Sequence, residues 1–520
     1  MSAIDVLFIY PSGNNYLGFP FGISTLAAIL RKNNFQVSIL DASADKLTVS
    51  QVADRVRNIK PGIVAFTGPI HTSLFNKELS KMLRELTPSV IQIGGGWWAI
   101  PAPEFILRNV SIDYIIKGEA DTIIVRLVKA LIERESISEI SGLCYLDSNG
   151  MYRENGVIQL PLNLDDIPFP AYDLLNMDYY ILKIKPEKWI WSMKRLPQLK
   201  RILKDKVFKV ASISSGRGCY GKCDFCSAAQ IPRRNFSPGY IADNMVFLIK
   251  NYGVNAFYFN ESLTLSTRQW VKDFCREILS RKMNIFYAGL SRGDFNYDSE
   301  TLDMLFDSGC LGMDVGFESG SNAMLKMMQK NTTVEKYYKT YSDFSNKNIH
   351  IFGQFILNMP GESLQTLNET IAFVKNTYMS FSFGVAHPYP GSKLYEFARK
   401  NSFCTLEGMM FSLENKGKTT KRAIKRYFDK FNFNNLNLSD FLAKWRILEN
   451  LKTRNYLFQK GHRKLVKILD FCPILLDFWH GMLRGALYFR YAVILAKRKM
   501  QIIKPEALNR MEKNSSTRTK

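Results

Sequence analysis

Short apolar runs and longer amphipathic stretches alternate through the first 160 residues. Residues 5–10, 35–40, 63–67, 90–93 and 112–116 are runs rich in Val, Ile and Phe, too short for helices, and read as strands. Between them, residues 21–33, 49–59, 72–87, 103–108 and 122–133 carry apolar side chains at helical spacing. Such alternation predicts a parallel, doubly wound sheet, whose ligands sit outside the carboxyl ends of the strands. The loops expected there are Tyr10-Pro11-Ser12-Gly13, Thr67-Gly68-Pro69, Gly94-Gly95-Gly96-Trp97-Trp98 and Lys117-Gly118-Glu119-Ala120-Asp121. One such loop is only a turn; four with glycine predict that something large and flat approaches the backbone closely. Residues 143–160 then read as a hairpin over Asp147-Ser148-Asn149-Gly150, and Asp165-Asp166-Ile167-Pro168-Phe169-Pro170 as a connector at a domain boundary.

Charge changes the picture through its location. The chain of 520 residues has a formal charge of +23, which would ordinarily suggest nucleic acid or an anionic membrane surface. Residues 178–209 hold ten Lys or Arg against three Asp or Glu, and residues 401–520 hold twenty-five against nine. These two stretches account for the whole excess. The presumed core domains are neutral and no nucleic-acid motif is present, so a nucleic-acid-binding protein is the weaker alternative. The stretch 183–209, with Trp189 and Trp191, reads either as a solvated basic surface or as a lid over an anionic substrate or lipid. Eight cysteines without a signal peptide suggest a reducing cytoplasm and no disulfide framework.

Three of those cysteines stand within eight residues, in Ser214-Ser215-Gly216-Arg217-Gly218-Cys219-Tyr220-Gly221-Lys222-Cys223-Asp224-Phe225-Cys226-Ser227. Structural zinc takes four closed ligands, whereas an iron-sulfur cluster held by three thiolates leaves one iron open. No fourth Cys or His is close in sequence, which favours the open cluster. The remaining cysteines, Cys144, Cys275, Cys310, Cys404 and Cys472, read as plain buried thiols.

With Phe225 before its last cysteine, this spacing resembles the radical S-adenosylmethionine (radical SAM) superfamily. Five further segments resemble its cobalamin-dependent branch in the right order. They are Tyr258-Phe259-Asn260-Glu261, Ser291-Arg292-Gly293-Asp294, Gly316-Phe317-Glu318-Ser319-Gly320, the run from Gly353 to Ser363 with Pro360-Gly361-Glu362, and His387-Pro388-Tyr389-Pro390-Gly391-Ser392. The resemblance implies an α/β chain: a flavodoxin-like, cobalamin-binding sheet at 1–160, a basic linker at 161–207 and a partial (β/α)6 barrel at 208–400. A basic helical region follows at 401–520. Barrel strands are expected near 209–214, 255–260, 284–289, 312–318, 350–357 and 381–386, with the active site at their carboxyl ends.

The resemblance further implies that Cys219, Cys223 and Cys226 bind a 4Fe-4S cluster. Phe225, Asn260, Glu261, Ser291, Arg292 and Glu318 would contact S-adenosylmethionine. Tyr10, Gly13, Thr67, Gly68, Gly94, Gly95, Gly96, Gly118 and Glu119 would contact cobalamin. The Asp-x-His-x-x-Gly signature is absent, so cobalamin would bind without a histidine ligand from that motif. The expected reaction is C-methylation of an unactivated carbon. The alternative is a non-methylating rearrangement or oxidative cyclisation of a hydrophobic substrate such as a lipid, isoprenoid or porphyrin. A flavodoxin- or ferredoxin-type electron donor and a small-molecule or lipid-like substrate are the expected partners. Residues 471–496, aromatic but interrupted by Asp477, His480, Arg484 and Arg490, suit an interfacial helix on an anionic membrane or a helix over the barrel mouth. The expected location is the cytoplasm, with peripheral membrane contact a further expectation.

Overall fold

The computed structural model describes residues 4–13, 18–161, 163–184, 207–411, 430–434 and 436–459, with residues 425, 428 and 466. The stretch with Trp189 and Trp191, the segment 471–496 and Cys472 lie outside the described residues.

The first domain follows the hydrophobic pattern closely. Its elements are β1 (Val6–Tyr10), α1 (Phe21–Lys32), β2 (Val37–Asp41), α2 (Val49–Ile59), β3 (Ile63–Phe66), α3 (Ser73–Leu86), β4 (Ile91–Gly94), α4 (Pro103–Asn109), β5 (Tyr114–Ile116), α5 (Ile124–Glu133), β6 (Leu143–Leu146) and β7 (Tyr152–Glu154). The sheet order is β2-β1-β3-β4-β5-β6-β7, with the first five strands parallel and the hairpin added antiparallel. Every residue of β1 is buried because both faces are covered. Val6 and Phe8 pack with Ile23 and Leu30 of α1 and Leu127 of α5, while Leu7 and Ile9 pack with Val52 of α2 and Leu79 of α3. Strand order reverses between β1 and β3, which opens a crevice at their carboxyl ends. Helix α2 starts at Thr48 because its hydroxyl accepts from the Gln51 amide and the Gln51 side chain answers on the Thr48 amide, a reciprocal cap.

The second sheet comprises β8 (Leu182–Ile184), β9 (Phe208–Ile213), β12 (Ala256–Phe259), β13 (Phe286–Arg292), β14 (Cys310–Glu318), β15 (His350–Leu357) and β16 (Ser380–Val385), in the order β16-β15-β14-β13-β12-β9-β8. A two-stranded ribbon, β10 (Gly216–Arg217) and β11 (Arg234–Asn235), follows β9. From β9 to β16 the large strands are parallel and form a curled half-barrel. The helices that cover it include α7 (Pro238–Tyr252), α8 (Arg268–Ser280), α9 (Ser299–Asp307), α10 (Asn322–Met327), α11 (Val334–Asn346) and α12 (Leu364–Thr377). Side chains of Ser237, Thr267, Asp298, Thr333 and Ser363 accept from the first turns of α7, α8, α9, α11 and α12 and so fix where each begins. In β15, Ile351, Phe355 and Leu357 are buried on the helix side, while His350, Phe352, Gln354 and Ile356 are half-buried on the inner side.

Residues 164–184 are more than the start of a basic linker. Leu164, Ile167, Tyr172 and Leu175, with Met177 and Tyr180 of the short helix α6 (Met177–Tyr180), are buried between the two sheets, and β8 pairs antiparallel with β9. Tyr180 donates to Asp41 at 2.5 Å and Tyr172 to Asn244 at 3.1 Å, one bond to each domain. The charges that follow mask this apolar periodicity in the sequence. Beyond the barrel, helix α13 (Lys393–Lys400) leads to α14 (Leu406–Phe411), which returns to the first domain and buries Met410 against it. Helix α15 (Leu438–Gln459) braces the end of α12: Asn455 donates to the carbonyls of Val374 and Met379, and Gln459 to that of Tyr378. Among the described residues no helix is long and apolar enough to cross a membrane.

Candidate cofactor and active site

The carboxyl ends of the two sheets enclose one cavity of about 990 Å³. Tyr10, Thr67, Gly68, Gly94, Gly95, Gly96, Gly118 and Glu119 line one wall; Gly13 lies outside that lining. The glycines do two jobs. Gly68 and Gly118 have φ of +135° and +140°, a backbone that L side chains rarely adopt, and a Cβ on Gly68 would run into the hydroxyl of Thr72. Gly95 is different: it has no positive φ, and a Cβ there would meet only the Ile116 carbonyl at 3.9 Å. Its missing side chain leaves room in the cavity. No histidine stands among the described residues of the lining.

The facing wall comes from the end of β9, the ribbon and the loop after β12. Asn260 and Glu261 lie here, on the shared cavity. The Glu261 carboxylate is fully used: it accepts from the Ser214 hydroxyl at 2.8 Å, the Ser215 amide at 2.7 Å, the Gly216 amide at 2.9 Å and the Ser215 hydroxyl. Burial holds its carboxyl above the usual range, against the pull of the Arg233 guanidinium and the Ser214 and Ser215 donors. Glu261 thereby shapes the chain that enters the cysteine loop.

In that loop Cys223 is buried while Cys219 and Cys226 are partly exposed. The Arg292 guanidinium stands 3.7 Å from the Cys223 sulfur, with Asp294 at 2.9 Å and the Lys330 carbonyl at 2.6 Å fixing its orientation. Burial pushes the Cys223 thiol up, while Lys330 and Arg292 pull it toward the thiolate that binds metal. Glu318 ends β14 in a left-handed conformation, φ +67°, and its carboxylate takes the Lys330 ammonium at 2.9 Å. Phe225 packs with Met324, Met328 and Met359 beneath the loop. Ser291 lies next to Arg292 on the same strand and therefore points to the opposite face, its hydroxyl buried without a partner among the described residues. The three thiols do not converge on a single-ion site, and no other His, Cys, Asp and Glu do so among the described residues. Three separated thiols with an open face and two neighbouring cations suit a cluster better than one zinc ion.

Residues 15–128 match the B12 binding domain family and residues 213–374 the Radical SAM superfamily. The chain belongs to the radical SAM superfamily, in the branch with a B12-binding domain. It is 26% identical over 415 residues to an uncharacterized methyltransferase of Pyrococcus horikoshii, covering 77% of this chain and 84% of that one. It is 25% identical to the anaerobic magnesium-protoporphyrin IX monomethyl ester cyclase of Rubrivivax gelatinosus, over 75% of this chain and 69% of that one. The fold matches the radical SAM methyltransferase TsrM from Kitasatospora setae with a TM-score of 0.61 at 18% identity, covering 77% and 75% of the two chains. It matches the cobalamin-dependent radical SAM enzyme OxsB with a TM-score of 0.65 at 15% identity, covering 98% and 83%.

Within this radical SAM fold, the site contains residues to which the sequence motifs assign no role, or a different one. Lys330 follows α10 in an unremarkable Met-Met-Gln-Lys run, and only its burial against Glu318 reveals it. On the inner face of the half-barrel, Tyr258 donates to Asp314 at 2.5 Å, and the Ser382 hydroxyl donates to Gln354 across paired strands. Burial pushes the Asp314 carboxyl up and the Tyr258 hydroxyl pulls it down. Leu290, Phe352 and Ile356 share that face. Arg217 and Arg234, in the ribbon before and after the cysteines, reach Glu119 across the cavity rim.

Proposed function

We propose that this chain is a cobalamin-dependent radical SAM enzyme that methylates an unactivated carbon. The observation that carries the reading is the single cavity: a glycine wall from the B12-binding domain faces the wall that leads into the three-cysteine loop. When bound, the 4Fe-4S cluster would reductively cleave S-adenosylmethionine to a 5'-deoxyadenosyl radical and cobalamin would carry the methyl group. Cys219, Cys223 and Cys226 would hold the cluster, and the Arg292 and Lys330 cations beside Cys223 oppose the rise that burial imposes on its thiol. Glu318 and Arg292 stand beside the cluster loop as contacts for S-adenosylmethionine, with Phe225 and its methionine neighbours keeping water out from below. Asn260 and Glu261 sit where that site opens into the cavity; Ser291 faces away from it, on the other side of β13. Tyr10, Thr67, Gly68, Gly94, Gly95, Gly96 and Gly118 carry the corrin.

The inner face of the half-barrel offers the substrate a mixed wall, with Leu290, Phe352 and Ile356 beside two polar pairs, Tyr258–Asp314 and Ser382–Gln354. That suits a small or lipid-like molecule with hydrogen-bonding ends. An external flavodoxin- or ferredoxin-type protein supplies the electron, in the cytoplasm, and the basic segments touch an anionic membrane surface. Oxidative cyclisation is the second reading, favoured by the similarity to the Rubrivivax gelatinosus cyclase over three quarters of the chain.

Anaerobic reconstitution with iron, sulfide and cobalamin, then incubation with S-adenosylmethionine and reductant, tests both. Bound cobalamin with both 5'-deoxyadenosine and S-adenosylhomocysteine is the outcome expected for methyl transfer. Formation of 5'-deoxyadenosine without S-adenosylhomocysteine would overturn it in favour of cyclisation or rearrangement.

A further inference from the structure

The ribbon strands β10 and β11 place Arg217 directly opposite Arg234. Like charges at directly opposed positions repel, so a two-stranded ribbon would not choose this pair for its own stability. The conflict is resolved by the other domain. One Arg217 nitrogen stands 2.7 Å from Glu119 and 2.6 Å from Asp121, the other donates to Asp121 at 2.9 Å, and Arg234 pairs with the second Glu119 oxygen. The four side chains are only 7–23% exposed, two positive and two negative, so the cluster is neutral and largely shielded from solvent. Arg234 also donates to the carbonyl of Pro161 in the connector, at 3.3 Å.

The position of these residues in the chain gives the cluster its meaning. Glu119 follows Gly118, which lines the cavity, and Arg217 precedes Cys219 by two residues. Both oxygens of Glu119 are engaged by arginines, so its charge is already matched within the protein and is not needed to bind a cofactor. We infer that Glu119 and Asp121, gripping Arg217 and Arg234, form a positioning joint that fixes the cobalamin wall relative to the first cluster cysteine. The inference rests on the proposed function for its purpose and on the ion cluster alone for its existence. It reassigns Glu119 from cofactor contact to positioning residue. Arginine suits the role because its planar fork takes two carboxylates at set angles, which a lysine does not do.

The test uses the full chain with Arg217→Met and the milder Arg217→Lys, whose charge remains while the fork is lost. In the apo-protein, amide hydrogen exchange should rise together, by roughly tenfold or more, in Gly118–Asp121 and in Gly216–Cys219 of Arg217→Met, and by less in Arg217→Lys. In the reconstituted protein, iron and cobalamin content should stay within about twofold of the parent while the magnetic dipolar coupling between cob(II)alamin and the reduced cluster weakens or broadens. Unchanged exchange on both segments would overturn the joint, as would an unchanged coupling with both cofactors present. Loss of cobalamin with faster exchange confined to Gly118–Asp121 would also overturn it, making Arg217 a cofactor contact. A parent protein that takes up no cobalamin would sink the proposed function, while the apo exchange experiment would still decide the joint.

Discussion

The loops after β3, β4 and β5 meet the cavity with bare backbone at Gly68, Gly95, Gly96 and Gly118, whereas the cysteine loop opposite is surrounded by Arg292, Lys330, Glu318 and Asp294. One wall makes room and the other supplies charge. A flat, bulky ligand is recognised by removing side chains, since each Cβ would occupy its space. A metal centre with a charged small molecule is recognised by fixed ionic groups that need not reorganise on binding. The two walls should therefore fail in different ways.

The largest effect belongs to the cysteine wall. Replacing Cys223 by Ala removes the most buried thiol beside Arg292. The expected outcome is loss of the brown cluster absorbance and of all reductive cleavage of S-adenosylmethionine, while cobalamin uptake persists on the other wall. Retained cleavage would mean that the three cysteines do not hold the cluster.

The glycine wall separates a steric test from a folding test. Gly96 has φ +79° and its Cβ would lie 2.8 Å from the Thr67 hydroxyl, so a side chain there strains the loop whether or not a ligand is bound. Gly95 carries neither penalty, so the methyls of Gly95→Val intrude only on the cavity. Gly95→Val should keep its melting temperature and its cluster spectrum but lose cobalamin retention by about a hundredfold or more, read by absorbance after gel filtration. Full retention would put the corrin elsewhere.

The same contrast explains what was legible in the sequence. The glycine wall could be read because its signal is local: glycine at the end of an apolar run, repeated at four strand ends, of which the three after β3, β4 and β5 line the cavity and the one with Gly13 does not. The half-barrel strands were legible through the motifs at their ends, which carry the resemblance, and runs such as 350–357 also show the alternation of a strand buried on one face. The ionic groups were not. Lys330 lies twelve residues from Glu318, and Arg217 lies nearly a hundred from Glu119 and Asp121. A charge looks the same in sequence whether solvated or paired, so only the fold shows which ones face each other. The strand β8 was hidden for the related reason that its two apolar residues, Leu182 and Ile184, sit beside Lys183 at the edge of a basic run.

Among the charges, Lys330→Met measures how far the cysteine wall depends on pairing. The Lys330 and Glu318 side chains are 4% and 11% exposed, so removing the ammonium leaves a buried carboxylate uncompensated. The expected loss of stability is about 3–5 kcal/mol, seen as a lower midpoint in urea. Adding Glu318→Gln should recover most of it, because the stranded charge is then gone. An undiminished midpoint in the single variant would show that the pair contributes no net stability.

The smallest effect comes from a carboxyl that neither wall uses. Glu362 closes the Pro360-Gly361-Glu362 turn after β15, where its one oxygen accepts from the Asn358 amide and the other has no partner among the described residues. Burial pushes its pKa up to about 8, only partly opposed by that amide. Because the folded value lies above the unfolded one of 4.5, the folded chain keeps a proton that the unfolded chain releases. Stability from this group is thus fully present below about pH 4.5, falls as pH rises, and levels off above about pH 8. Between pH 6 and 8 the slope is at most about 1.4 kcal/mol per pH unit, and the loss over the whole interval is roughly 2 kcal/mol once partial titration is counted. Glu362→Gln keeps the acceptor and cannot ionise, so its melting temperature should fall less than the parent's from pH 6 to pH 8. Asn434 ties the same turn to the segment beyond the barrel, donating to the Met359 carbonyl at 2.7 Å and accepting from the Gly361 amide at 2.6 Å. If the two proteins instead lose stability in parallel, Glu362 is ionised in the fold and the turn holds a buried charge by means that the amide alone does not supply.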